Sequence, residues 1–222
     1  MSELRQKKSA RTRLAMATAL SNALAEQSLS EISVKALCRE AEVSEATFFN
    51  YFPGKQNLMG YLAQLWLLEL GWQAAAAAQT APGLPAIRRL YAHSARSCTR
   101  RPGLMRELIA WLAHGGSLDA TLKLDAFERK LVFPELDGIE STPLKGIDAL
   151  IVPQLEAAVS VGQLPDNTLI PMLLSLLLAI LFGVPLTLLS SHPGKIADLY
   201  QQQLQLVWSG VRAAAGGHQR VL

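Results

Sequence analysis

The sequence predicts an all-α protein in two parts, a helix-turn-helix domain over residues 1–54 and a larger helical domain over 55–222. Three observations carry this. Strand-like alternation is scarce, and helix breakers fall at helix-like intervals. The stretch Ser33 to Leu58, SVKALCREAEVSEATFFNYFPGKQNL, reads as two short helices joined by a tight turn, then a second sharp turn into a longer helix. From Asn167 to Gly194 there is no charged residue. The composition also shifts near residue 55: polar and apolar residues alternate at helical spacing before it, and large apolar faces dominate after it.

The elements follow in order. Leu14, Ala17, Leu20 and Leu24 mark the buried stripe of a first helix over roughly 8–27. That run trails basic residues, but Ser21 and Asn22 break it, so it reads as an amphipathic helix and not as a signal sequence. Ser28 to Ile32 turns, and Ser33 caps a helix running to about Ala41. Its stripe is Val34, Leu37, Cys38 and Ala41. Ser44 caps the next helix, which ends near Tyr51, and Pro53-Gly54 turns into a long helix over Lys55 to Gln79. Ala81-Pro82-Gly83 breaks that helix. Further helices are expected from Leu84 to Thr99 and from Pro102 to Ala113, the proline suiting a first turn. Residues 117–142 hold a helical piece around Leu118 to Val132 and a loop through Pro134, Gly138 and Pro143. Helix resumes over 144–161, with Pro153 as a kink or a start. After a turn at Gly162 to Asp166, two helices cover about 167–190 and 194–214, and Gly216-Gly217 opens a tail.

A chain that is half hydrophobic and 18% charged is not a disordered tail, and no 20- to 50-residue repeat marks a solenoid. The net charge of +3 matters less than its placement, for residues 1–13 carry Arg5, Lys7, Lys8, Arg11 and Arg13 against Glu3 alone. Two roles fit this arm: contact with phosphates, or a terminus kept soluble by its charge. The neighbouring helix-turn-helix favours the first. The apolar segment Leu169 to Leu189 is long enough to cross a bilayer. Pro171, Gly183 and Pro185, the lack of a second such span and the lack of flanking basic clusters favour a buried helix of a subunit interface. The last helix agrees: Ile196, Leu199, Tyr200, Leu204, Leu206, Val207 and Val211 give it a broad apolar face. Two helices from each of two chains make a four-helix bundle and a homodimer.

The run Val43-Ser44-Glu45-Ala46-Thr47-Phe48-Phe49-Asn50-Tyr51-Phe52-Pro53-Gly54-Lys55-Gln56-Asn57-Leu58 resembles the V-S-x-x-T-F-Y-x-Y-F-x-x-K-x-x-L signature of the TetR family of bacterial transcriptional regulators. The resemblance implies a cytoplasmic homodimeric repressor that binds a pseudo-palindromic double-stranded DNA operator and is released from it by a small hydrophobic ligand. Positions matching Thr47 and Tyr51 contact phosphates, and the one matching Lys55 holds a phosphate at a helix N-terminus. Those matching Lys35, Glu45, Ala46 and Asn50 face base edges, and Ser33 completes the DNA-facing set. Phe48 and Phe52 match positions that pack inward. The resemblance further implies a small-molecule effector in the second domain, with Trp66, Tyr91, Met105, Trp111 and His114 as the candidate lining. Three positions depart from the pattern. Phe49 replaces a tyrosine, Glu42 replaces the turn glycine, and Glu45 adds negative charge on the DNA side. Competing readings are a helical ligand-binding protein that has lost DNA function and a membrane-anchored helical protein.

No phosphate loop, nucleophile elbow or carboxylate pair appears, so no enzyme and no cofactor is expected. His93, His114, His192 and His218 are scattered, and no metal site is expected. The arginines Arg88, Arg89, Arg96, Arg100, Arg101 and Arg106 make either a solvated basic face or a seat for an anionic effector. Cys38 reads as a core residue. Cys98 stands beside three of those arginines, a setting that lowers a thiol's pKa.

Overall fold

The computed structural model describes residues 3–119 and 124–218. Among these the chain is all helical: α1 Glu3–Ala23, α2 Val34–Glu40, α3 Glu45–Tyr51, α4 Lys55–Thr80, α5 Leu84–Arg100, α6 Pro102–Ala113, α7 Ala126–Val132, α8 Ile147–Ser160, α9 Ile170–Leu188 and α10 Ile196–His218. The chain divides into two compact units, Met1–Glu69 with Gly103–Lys145, and Leu70–Pro102 with Gly146–Leu222. Helix α4 belongs in part to each.

The first unit is built around α1. Met16, Leu20 and Leu24 are fully buried, with Leu37 from α2, Phe48 from α3, and Leu58 and Met59 from α4. Phe48, Phe52 and Tyr61 form an aromatic row, the last pair edge-on at 5.6 Å between ring centres. The start of α6 lies so close to the end of α1 that a Cβ on Gly103 would overlap the Leu24 carbonyl oxygen, which is why this position is a glycine. Helix α7 packs on α1. Its Glu128 is fully buried and bridges two partners: Arg13 Nη2 donates to one carboxylate oxygen at 2.5 Å, and the Tyr61 hydroxyl to the other at 2.7 Å. Burial pushes the Glu128 carboxyl above its ordinary value, against the opposing pull of Tyr61 and Arg13.

The second unit packs α5, α8, α9 and α10 together. Its centre is an edge-to-face pair, Tyr91 and Tyr200, with ring centres 5.0 Å apart. Both hydroxyls reach carbonyls of α9: Tyr91 donates to Leu177 and Tyr200 to Leu181, each at 2.6 Å. The second bond has a local cause. Pro185 lies inside α9 and has no N–H for the carbonyl four residues earlier, and Tyr200 supplies the missing donor. At the start of α5, the N–H groups of Gly83 and Leu84 donate to Gln154 and Gln163, which satisfies groups that a helix N-terminus leaves open.

The boundaries differ from expectation in four places. Helix α1 starts at Glu3 and stops at Ala23, against the expected 8–27, so the basic residues ahead of position 8 also lie on the helix. The helical piece expected over Leu118 to Val132 is shorter. Asp125 caps it by accepting from the Glu128 N–H at 2.8 Å, and residues 120–123 lie outside the described ones. Helix α8 starts at Ile147, three residues later than expected, and Pro153 sits inside it. Helix α10 passes through Gly216-Gly217, where a tail was expected. Glycine lowers helix propensity but leaves the hydrogen-bond ladder intact, and Ala213 to Ala215 ahead of it are the strongest helix formers.

Helix α9 is the one helix among the described residues long and apolar enough to cross a membrane, and about a third of it is buried. Leu169, Met172, Leu176 and Leu186 stand exposed, Met172 and Leu186 by two thirds of their surface. Ala179 and Gly183 fall between them, so the six positions step alternately by three and four residues along one face. A Cβ on Gly183 would meet nothing within 4 Å. On α10 Gln202, Leu206, Gly210 and Ala213 are exposed, spaced four, four and three apart, and Gly210 likewise faces open space.

Candidate nucleic-acid interface

Two serine caps define the helix-turn-helix. The Ser33 hydroxyl accepts from the Ala36 N–H at 3.1 Å and the Ser44 hydroxyl from the Thr47 N–H at 3.0 Å. The turn between them is a Schellman motif: Val43 N–H bonds to the Cys38 carbonyl and Glu42 N–H to that of Arg39. This geometry requires a left-handed residue, and Glu42 takes it, with φ 53°. It is the only non-glycine residue with positive φ among the described residues.

Helix α3 is divided cleanly. Phe48 is buried, and Phe52 just beyond the helix joins it in the core. Glu45, Ala46, Phe49 and Asn50 are exposed together on the opposite side. Thr47 and Tyr51 are half-buried at the edges, and the Thr47 hydroxyl lies 2.8 Å from that of Ser44. Ser33, Lys35, Ser44 and Glu45 line one shallow groove of about 540 Å³, and Arg39 lies in it too. Arg39 was not among the expected residues. Its spacing of four from Lys35, on the same helix face, is the signal that finds it.

Lys55 is placed differently from its neighbours in the motif. Its ammonium donates to three backbone carbonyls, Leu29 at 2.7 Å, Ser30 at 3.1 Å and Ile32 at 2.6 Å. An ammonium has three donors, so all are in use within the unit. From the other side Glu107 of α6 accepts from the Leu29 N–H at 3.1 Å. The loop between α1 and α2 is thus strapped to α4 and to α6.

The basic arm splits by direction. Arg5, Lys8 and Arg11 are exposed on α1. Arg13 turns inward to Glu128, and the Lys7 ammonium sits over the Phe127 ring at 5.6 Å. Two of the five cations therefore serve the packing of α7.

The five residues expected around an effector do not share one place. Trp111 and His114 line an open groove of about 780 Å³ with Leu29, Lys55 and Glu107. Trp66 and Met105 are buried in the first unit. Tyr91 is buried in the core of the second, its hydroxyl occupied by Leu177. The arginines of α5 are exposed. Cys98 is fully buried, and burial pushes its thiol up to about 12, so desolvation overrides the neighbouring arginines and the thiolate is suppressed. Among the described residues, no group of three His, Cys, Asp or Glu side chains is placed to hold a metal ion.

Residues 18–62 match the family described as bacterial regulatory proteins, tetR family. No curated protein matches the chain. Among solved structures, GusR of Salmonella enterica is similar at 19% identity and a TM-score of 0.56, over 91% of this chain and 95% of that one. SCO0520, a TetR transcriptional regulator of Streptomyces coelicolor, is similar at 22% identity and 0.50, over 90% and 98%. A TetR transcriptional regulator from Rhodococcus sp. RHA1 is similar at 17% identity and 0.51, over 92% and 97%. At these identities the likeness is one of fold.

Proposed function

We propose that this chain, whose residues 18–62 match the tetR family of bacterial regulatory proteins, is a DNA-binding transcriptional regulator, a homodimeric repressor that a small ligand releases from its operator. The observation that carries the DNA contact is the exposed face of α3, held by the Ser44 cap and backed by Phe48. Such a helix enters the major groove. Lys35 and Asn50 are suited to hydrogen-bond guanine and adenine, and Glu45 to accept from a cytosine amine. Ser33, Thr47, Tyr51 and the exposed cations Arg5, Lys8 and Arg11 contact phosphates, with Arg39 beside Lys35. For Lys55 the strap on three carbonyls favours positioning of the α4 N-terminus, whose dipole attracts a phosphate, over direct donation.

Dimerisation uses the exposed seams of α9 and α10. Large apolar residues at three- and four-residue steps, with glycines facing open space at Gly183 and Gly210, suit close packing against the same helices of a second copy. This also accounts for the apolar length of α9 without a membrane, and the protein works in the cytoplasm with its DNA. The dimer presents two α3 helices to successive major grooves, roughly 34 Å apart, on a pseudo-palindromic site. Effector binding, with Trp111 and His114 as the candidate contacts that share one groove, shifts the spacing of the heads. The groove beside Trp111 and His114 offers apolar and polar walls for a small hydrophobic ligand.

The test is binding of purified protein to its own upstream DNA by fluorescence anisotropy over a series of salt concentrations. Expected is a dimer on a sizing column and an affinity that falls linearly on a log–log salt plot. A soluble protein that binds no duplex would favour the reading as a ligand-binding protein without DNA function.

A further inference from the structure

Phe49 is the feature of the reading helix that the contacts above leave unused. Its side chain is 51% exposed, although phenylalanine is ordinarily a core residue. A single exposed phenylalanine needs no explanation by itself. Its position here does. Successive helical residues turn by about 100°, so Glu45 and Asn50 stand about 140° apart on the exposed arc of α3, and Phe49 and Ala46 lie between them. The middle of the reading face is therefore apolar and its flanks are polar.

The ring is also held in place. Its centre lies 5.4 Å from that of buried Phe48, at an interplanar angle of 84°, an edge-on arrangement that fixes its direction. Phe49 has no hydroxyl to give to a phosphate and no donor or acceptor for a base. What it offers is apolar surface. In the major groove the base edges present hydrogen-bonding groups, and the one bulky apolar group among them is the 5-methyl of thymine, where cytosine and uracil carry only a hydrogen.

We propose that Phe49, with Ala46 beside it, recognises a thymine methyl group in each half-site and is the apolar specificity determinant of α3. This rests on the DNA-binding reading given above. It places a thymine between the base facing Glu45 and the base facing Asn50. The contact is made by burying methyl and ring surface against each other, so it selects thymine over cytosine and over uracil.

The experiment begins with selection of duplexes from a randomised library by wild-type protein, Phe49→Ala and Phe49→Leu. Wild type should enrich half-sites with a thymine at one central position. Phe49→Ala should bind and lose that preference, and Phe49→Leu, which keeps an apolar side chain, should retain part of it. In the selected duplex, replacing that thymine by deoxyuridine removes only the methyl group. Wild type should lose about fourfold in affinity for one half-site and about 15-fold for both, from the transfer value of one methyl group. Phe49→Ala should be indifferent to the replacement. Circular dichroism checks that both variants fold, as an exposed side chain predicts. Wild-type binding unaffected by deoxyuridine, or a thymine preference intact in Phe49→Ala, would overturn the proposal and leave DNA binding standing. If wild type enriches no duplex at all, the DNA-binding reading fails, and this one with it.

Discussion

Glu42 holds a conformation that ordinary residues avoid, because the Schellman turn between the two reading helices leaves no other. A left-handed residue with a Cβ is strained by about 1 kcal/mol relative to glycine. Glu42→Gly should therefore raise stability by about that amount, read as a higher urea midpoint at unchanged slope. Glu128 makes the second prediction at this scale. Burial raises its pKa in the folded state, so its contribution to stability is complete below the ordinary value of 4.5 and is lost as pH rises through the raised one. Glu128→Gln titrates nothing there. The stability advantage of wild type over this variant should shrink from acid toward neutral pH, and urea melts at several pH values measure it. An advantage that grows with pH would mean that the Arg13 charge outweighs desolvation.

At the scale of the element, α9 depends on a donor from another helix. Tyr200→Phe leaves the Leu181 carbonyl buried beside Pro185 with no partner, and should cost about 1–3 kcal/mol in thermal or urea unfolding. Helix α4 depends on the Lys55 strap. Lys55→Met should lower stability and weaken DNA binding, yet leave the log–log salt slope of binding unchanged, since no phosphate contact is removed. A slope smaller by about 1 would place the ammonium on a phosphate instead. Much at this scale was legible in the residues. Ser33, Ser44, Pro53-Gly54 and Pro102 mark starts and turns by local chemistry, and the helices stand where those signals put them. What was not legible is long-range. Arg13 reads as one more cation of a basic arm until Glu128, 115 positions away, is seen beneath it. Gly103 reads as ordinary until the Leu24 carbonyl is found against it. Lys55 carries a motif lysine's identity, and only its three carbonyl partners reveal a strap. Cys98 follows the same rule: its neighbours in sequence are charged, but burial in the folded chain decides its thiol pKa.

At the scale of the whole molecule, the proposed dimer makes its own prediction. Gly183 faces open space within the chain, so Gly183→Leu should leave the monomer folded while obstructing the seam. On a sizing column the variant should run as a monomer with an unchanged helical spectrum, and its affinity for a two-half-site duplex should collapse toward that of one head. A dimer that persists would put the interface elsewhere. The charge of the turn then acquires a meaning in time as well as in energy. Glu42 and Glu45 are exposed on each head, so a dimer carries them twice toward any duplex. Their repulsion from phosphates is the same on every sequence, and base-edge contacts can offset it only at the right one. Encounters with the wrong DNA would be brief, and the protein would spend its search hopping more than dwelling, reaching its operator sooner at the expense of the grip it keeps once there.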